Sequence, residues 1–118
     1  MNIIDCGVYP FEIMIFFGDK KKEIIKELKK YLCKSDITYF KTVNLFAGKS
    51  IMFSSGQTLL YVNRIPENPN DYATLQHEIF HCACFVLERV GINYSNETDE
   101  AYAYLIEYLT KQIYTLLK

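Results

Sequence analysis

Asn70-Asp71-Tyr72-Ala73-Thr74-Leu75-Gln76-His77-Glu78-Ile79-Phe80-His81 opens a stretch that continues to Val90-Gly91. Asn70 or Asp71 can cap a helix. Gly91 stops it, and Ile92 can make the apolar contact that accompanies a glycine stop. The pattern predicts one helix over 70–90, and both histidines of the chain stand on it. Residues four apart lie one turn apart on the same helix face, so the two imidazoles can reach one metal ion. Glu78 follows His77 by about 100° and lies about 60° from His81, where it can contact a metal-bound water. Two histidine ligands and a general base on one helix suit zinc, for which neutral imidazole is a favoured donor.

On the C-terminal side, Ser95 to Asp99 supply polar capping residues for a final helix reaching about Leu117. On the N-terminal side, Ser50 to Ser54 and Gln57 to Asn63 are β-type runs around Ser55-Gly56 and read as a hairpin. Arg64 to Asn70, with Pro66 and Pro69, reads as a loop. Phe11 to Phe17 reads as a strand, bounded by Pro10 and Gly18. Asp19 can cap a helix over 20–34, whose Ile24, Ile25, Leu28, Tyr31 and Leu32 share one face. Residues 35–46 fit no single template; a short strand within Thr38 to Leu45 is the expectation. The order is then β-α-β-β-α-α, an α+β domain with the metal site between the last two helices.

The 118 residues make one domain, 1–118, with 50% hydrophobic and 23% charged residues, so a core can form. A net charge of -1 gives no global basic field, and no nucleic-acid partner is expected. The one basic concentration, Lys20-Lys21-Lys22 with Lys26, Lys29, Lys30 and Lys34, reads as the solvated face of a helix. No apolar run is long enough to span a membrane. The first residues lack the pattern of an export signal. Cys6, Cys33, Cys82 and Cys84 are therefore expected as reduced thiols in a cytoplasmic protein.

A catalytic zinc needs a third protein ligand and an open position. No third histidine exists. Glu100, Glu107, Glu97 and Cys84 are the candidates. Glu107 matches the depth of His81 in a simple antiparallel helix pair, whereas Glu100 needs a long or folded-back loop over 91–97. Among the ten tyrosines, Tyr104, Tyr102 and Tyr61 are candidates to donate a hydrogen bond to an oxyanion.

Eighteen residues, 82 to 99, separate His81 from Glu100. With His77, Glu78, His81 and Glu100 in this spacing, the segment from His77 to about Leu109 resembles the gluzincin clan of zinc metallopeptidases. Asp99-Glu100-Ala101-Tyr102-Ala103-Tyr104-Leu105 is also similar to small metallopeptidase-like proteins of tailed phages and their hosts. The resemblance implies a small zincin-like domain with Zn²⁺ held by His77, His81 and Glu100. Glu78 would act as general base, and the substrate would be a peptide or protein. It also implies a location in host cytoplasm or virion if the chain is phage-encoded. The chain departs from the clan at Tyr104, where thermolysin-like enzymes carry Asp, and it lacks the glycine-rich exopeptidase segment. The strand over Gln57 to Asn63 is expected to offer its edge to an extended peptide, by analogy with zincins. At 118 residues, a shallow site or one completed by a protein partner or second copy is expected. The rival reading is a structural or binding protein, such as a phage component or regulator, in which the same zinc pins the last two helices together.

Overall fold

The computed structural model describes all 118 residues. Its elements are β1 (Asn2–Cys6), β2 (Tyr9–Phe17), α1 (Lys21–Leu28), α2 (Lys34–Thr42), β3 (Gly48–Met52), β4 (Thr58–Val62), α3 (Pro69–Arg89) and α4 (Asp99–Leu116). The α+β class holds, but the element order differs from the sequence expectation at two places. β1 is an additional strand: Ile4 and Cys6 point into the core, Ile3 and Asp5 alternate outward, and Asn2 is exposed at the strand's start. Gly7, with φ +67°, turns the chain back into β2, and its N–H donates to Asp5 Oδ1 at 2.9 Å.

The helix expected over 20–34 is two helices. α1 ends at Leu28, Cys33 is extended at φ -72° and ψ 166°, and α2 begins at Lys34. Asp36 lies in the first turn of α2, where a carboxylate complements the helix dipole. Most of the strand expected within Thr38 to Leu45 is therefore helical. At its other end, the Lys21 ammonium donates to the carbonyls of Lys41 and Val43, at 3.0 and 2.6 Å. One lysine of the basic run thus caps a helix C-terminus. The cap expected from Asp19 is absent; Lys20 occupies the N-cap of α1 without a side-chain bond.

The four strands form one sheet in the order β1-β2-β4-β3. β1 and β3 pair antiparallel with their neighbours, and β2 pairs parallel with β4. The hairpin expected around Ser55-Gly56 is present. β4 lies inside the sheet with all five residues buried, which explains why Thr58-Leu59-Leu60-Tyr61-Val62 shows no polar alternation. β1 and β3 are the two edge strands.

The sheet is covered on both faces. Ile13, Ile15, Leu60 and Val62 meet Leu75, Ile79, Cys82 and Val86 of α3 and Leu105, Leu109 and Ile113 of α4. Met14, Ile51, Leu59 and Tyr61 point the other way, onto Ile24 and Leu28 of α1 and Ile37 and Phe40 of α2.

The helix bearing the histidines has well-formed ends. Asn68 is its N-cap, accepting from Asp71 N–H at 3.0 Å, and Pro69 is its first residue. This places the cap two residues earlier than Asn70. At the C-terminus, Gly91 (φ +82°) donates to Glu88 O at 3.1 Å and Ile92 to Leu87 O at 2.9 Å. These two bonds are the Schellman pattern that the Gly91 stop implies. No helix is long and apolar enough to cross a membrane.

Candidate metal centre

His77 and His81 stand one turn apart on α3, with Nε2 atoms 3.1 Å apart and ring centroids 4.7 Å apart. Two tetrahedral zinc ligands at about 2.0–2.1 Å lie about 3.3 Å from each other. The pair therefore fits two positions of one metal. Both rings line a cavity of about 350 Å³ with Phe46, Gly48, Lys49, Ser50, Glu78 and Phe85.

Glu78 is 5% exposed, an unusual place for a carboxylate. Its position is explained by β3. Ser50 Oγ lies 2.8 Å from Glu78 Oε1 and 3.0 Å from the Glu78 carbonyl oxygen. Behind it, the buried Cys82 thiol donates to Ser50 Oγ at 3.7 Å. Burial pushes that thiol up to about 12, so Cys82 remains protonated near neutral pH. Glu78 Oε2 accepts no hydrogen bond from the protein and is not sealed from solvent. It is the oxygen available to the cavity. Gly48 permits this arrangement: a Cβ there would come within 3.0 Å of both Glu78 Oε2 and Thr74 Cγ2.

Ser50→Ala should remove the hydroxyl bonds to Glu78 and cost about 1.5–3 kcal/mol, the usual range for bonds to charged groups. Urea unfolding of wild type and variant measures this directly.

The third-ligand candidates are not brought to the histidines. Gln76 accepts a bond from Thr110 on α4 at 3.2 Å, and Tyr72 stacks on Tyr114. That side of α3 therefore faces α4. His77 and His81 follow Gln76 by about 100° and 140° around the helix, so they face away from α4. The same two contacts set position 81 level with about position 105, and position 100 level with about 86. Glu100 is thus about five residues, or ~7 Å of rise, beyond His81 as well as on the wrong side. Glu97, Glu100 and Glu107 are all exposed, and no three His, Cys, Asp or Glu side chains gather as a metal site. The histidine pair lies on α3 beside the β3 edge, and the expected site between α3 and α4 is not brought together.

Cys84 packs at the margin of the core and does not line the cavity. Tyr104 is 67% exposed on α4, beside an apolar hollow with Val8, Tyr9 and Tyr108. Tyr102 is buried and donates to Ile92 O at 2.7 Å, and Tyr61 is buried against the α1–α2 layer. None of these tyrosines reaches the cavity. Ser50 and Gly48 carry no motif in the sequence and were not anticipated.

No protein-family model matches the chain, and no curated protein or solved structure matches it.

Proposed function

We propose that the chain is a zinc-dependent hydrolase acting on peptide bonds. His77 and His81 would hold the metal, and Glu78 would be its general base. The observation that carries this reading is the 3.1 Å separation of the two Nε2 atoms beside a free carboxylate oxygen of Glu78. Zinc bound by this pair would polarise a carbonyl and acidify water. Glu78 Oε2 would take the proton from the attacking water and pass it to the leaving amine. Ser50 holds Oε1 and so fixes the orientation of the base.

Peptide as substrate is supported by the edge of β3. Asn63 N–H bonds to Ala47 O at 3.0 Å and Phe53 N–H to Gln57 O at 2.8 Å, which sets the phase of the β3–β4 ladder. Odd positions 47 to 53 pair with β4. The backbone N–H and C=O groups of Gly48, Ser50 and Met52 therefore point outward from the sheet. An extended peptide can add there as a strand. The edge expected over Gln57 to Asn63 belongs to an inner strand, so this role passes to β3.

Glu100 is not part of the proposed donor set, which leaves the positions beyond the two imidazoles open to water, substrate or an outside donor. The rival reading, zinc pinning α3 to α4, gains no support from a histidine pair that faces away from α4.

Equilibrium dialysis against zinc tests the proposal. One zinc per wild-type chain is expected, with loss of binding in His77→Ala and unchanged binding in Glu100→Ala. A metal-free wild type would overturn the proposal, as would undiminished binding in His77→Ala.

A further inference from the structure

The net charge of -1 is an average over two unlike parts of the chain. Positions 20–41 hold eight lysines and three acidic residues, a balance of +5. All other positions together therefore carry -6. These 22 residues form the α1–α2 layer, on the sheet face opposite α3 and the histidines.

The lysines are ordered on the helices. Lys22, Lys26 and Lys29 follow i, i+4, i+7 spacing along α1 and its C-cap. Lys34, Thr38 and Lys41 repeat that spacing on α2. Each set makes one exposed stripe about 10 Å long. The stripes meet at a hollow of about 380 Å³, where Lys29, Lys34, Lys41 and Thr38 surround Leu32 and Ile37.

The charges at this hollow are not neutralised from within. The two ion pairs of the chain are Lys30–Glu27 and Arg64–Asp71, so Lys29, Lys34 and Lys41 have no carboxylate partner. Asp36 is buried and accepts from Ser54 Oγ at 2.7 Å. Glu23 stands in the first turn of α1, six positions before Lys29. Three ammonium groups around one hollow repel one another, and a ligand with several negative charges relieves that repulsion.

Ammonium groups attract carboxylates and phosphates alike. The aromatic residues among them decide between the two. Tyr31, in the turn between the helices, is 40% exposed, and Tyr39 on α2 is 54% exposed. Neither ring stacks on another aromatic residue of the chain. Free aromatic faces beside a basic track match a polyanion that carries bases. Every cation in the layer is lysine, a point charge without the planar fork by which arginine reads base edges.

We infer that the α1–α2 layer binds single-stranded nucleic acid without sequence preference, with phosphates at the Lys29–Lys34–Lys41 hollow and bases against Tyr31 and Tyr39. The inference does not depend on the hydrolase reading, because the histidine pair lies beyond the sheet.

Fluorescence anisotropy of a labelled 12-residue oligothymidylate, titrated with the full chain between 50 and 200 mM salt, tests this. Engaging three to five lysines predicts a slope of log K against log salt of about -2 to -3.5. The triple variant Lys29→Gln, Lys34→Gln, Lys41→Gln should flatten the slope by about 2 and weaken binding at 50 mM salt at least about tenfold. Tyr31→Ala and Tyr39→Ala should each weaken binding about fivefold or more with the slope unchanged. Lys111→Gln, on α4, should have no effect. Circular dichroism confirms that each variant keeps its helices. Absence of binding at 50 mM salt would overturn the inference, as would undiminished binding in the triple variant. Equal affinity for polyglutamate of the same charge would also overturn it and assign the layer to an acidic protein segment. Equal affinity for a duplex of the same length would overturn the single-stranded assignment.

Discussion

Glu78→Gln is expected to lower peptide hydrolysis by about 10²–10⁴-fold, the range general acid–base catalysis contributes, with zinc content unchanged. The substitution isolates the proton-transfer role. Gln has nearly the volume of Glu, which matters because Gly48 and Thr74 leave no spare room around it. The Gln amide oxygen can still accept from Ser50, so the tie between α3 and β3 persists. What is lost is the capacity of the free oxygen to take a proton. Measuring kcat on a peptide substrate alongside zinc by dialysis separates this from a folding defect. Full activity in the variant would refute the assigned role of Glu78. Zinc loss together with activity loss would mean that the carboxylate is a ligand.

The second large effect concerns the opposite face of the sheet. Phe40→Ala is expected to cost about 3–5 kcal/mol, the usual range for removing a buried aromatic ring. Phe40 is fully buried, packed with Phe53 at 6.4 Å between ring centroids and under the Lys21 ammonium at 5.5 Å. It is one of the main contacts of the α1–α2 layer with Met14, Ile51 and Leu59. Against a typical total of 5–15 kcal/mol, this is a large fraction, visible as a lower urea midpoint. The histidine pair lies beyond the sheet from Phe40, so zinc affinity of the folded fraction should not change. A cost below about 1 kcal/mol would mean that the α1–α2 layer adds little to the core.

What could be read in the sequence was mostly local. The α3 stop at Gly91, the i,i+4 histidine pair and the β3–β4 hairpin each depend on residues within one element or one turn. What could not be read was the rotation of one element against another. Leu75, Ile79, Cys82 and Val86 mark the buried stripe of α3, but α4 could lie on either flank of that stripe. The Gln76–Thr110 bond and the Tyr72–Tyr114 contact put it on the flank away from the histidines. The 18-residue spacing to Glu100 carries no information about that flank. Ser50 was likewise invisible, because its contact with Glu78 crosses 28 positions and depends on which strand ends up at the sheet edge. The break between α1 and α2 has no glycine or proline to announce it; it follows from turning Ile37 and Phe40 onto the sheet.

The parallel seam between β2 and β4 has a consequence for the order of assembly. Each hairpin closes over a short turn, on a timescale of about 1–10 μs, and α3 can form within its own residues. The seam instead joins Ile13–Phe17 to Thr58–Val62 across positions 18–57. Closing so long an excursion carries the entropy of the whole α1–α2 segment and is the slow, late event. The helix can therefore carry its two imidazoles, and the β3–β4 hairpin its outward edge, before the seam with β2 completes the sheet.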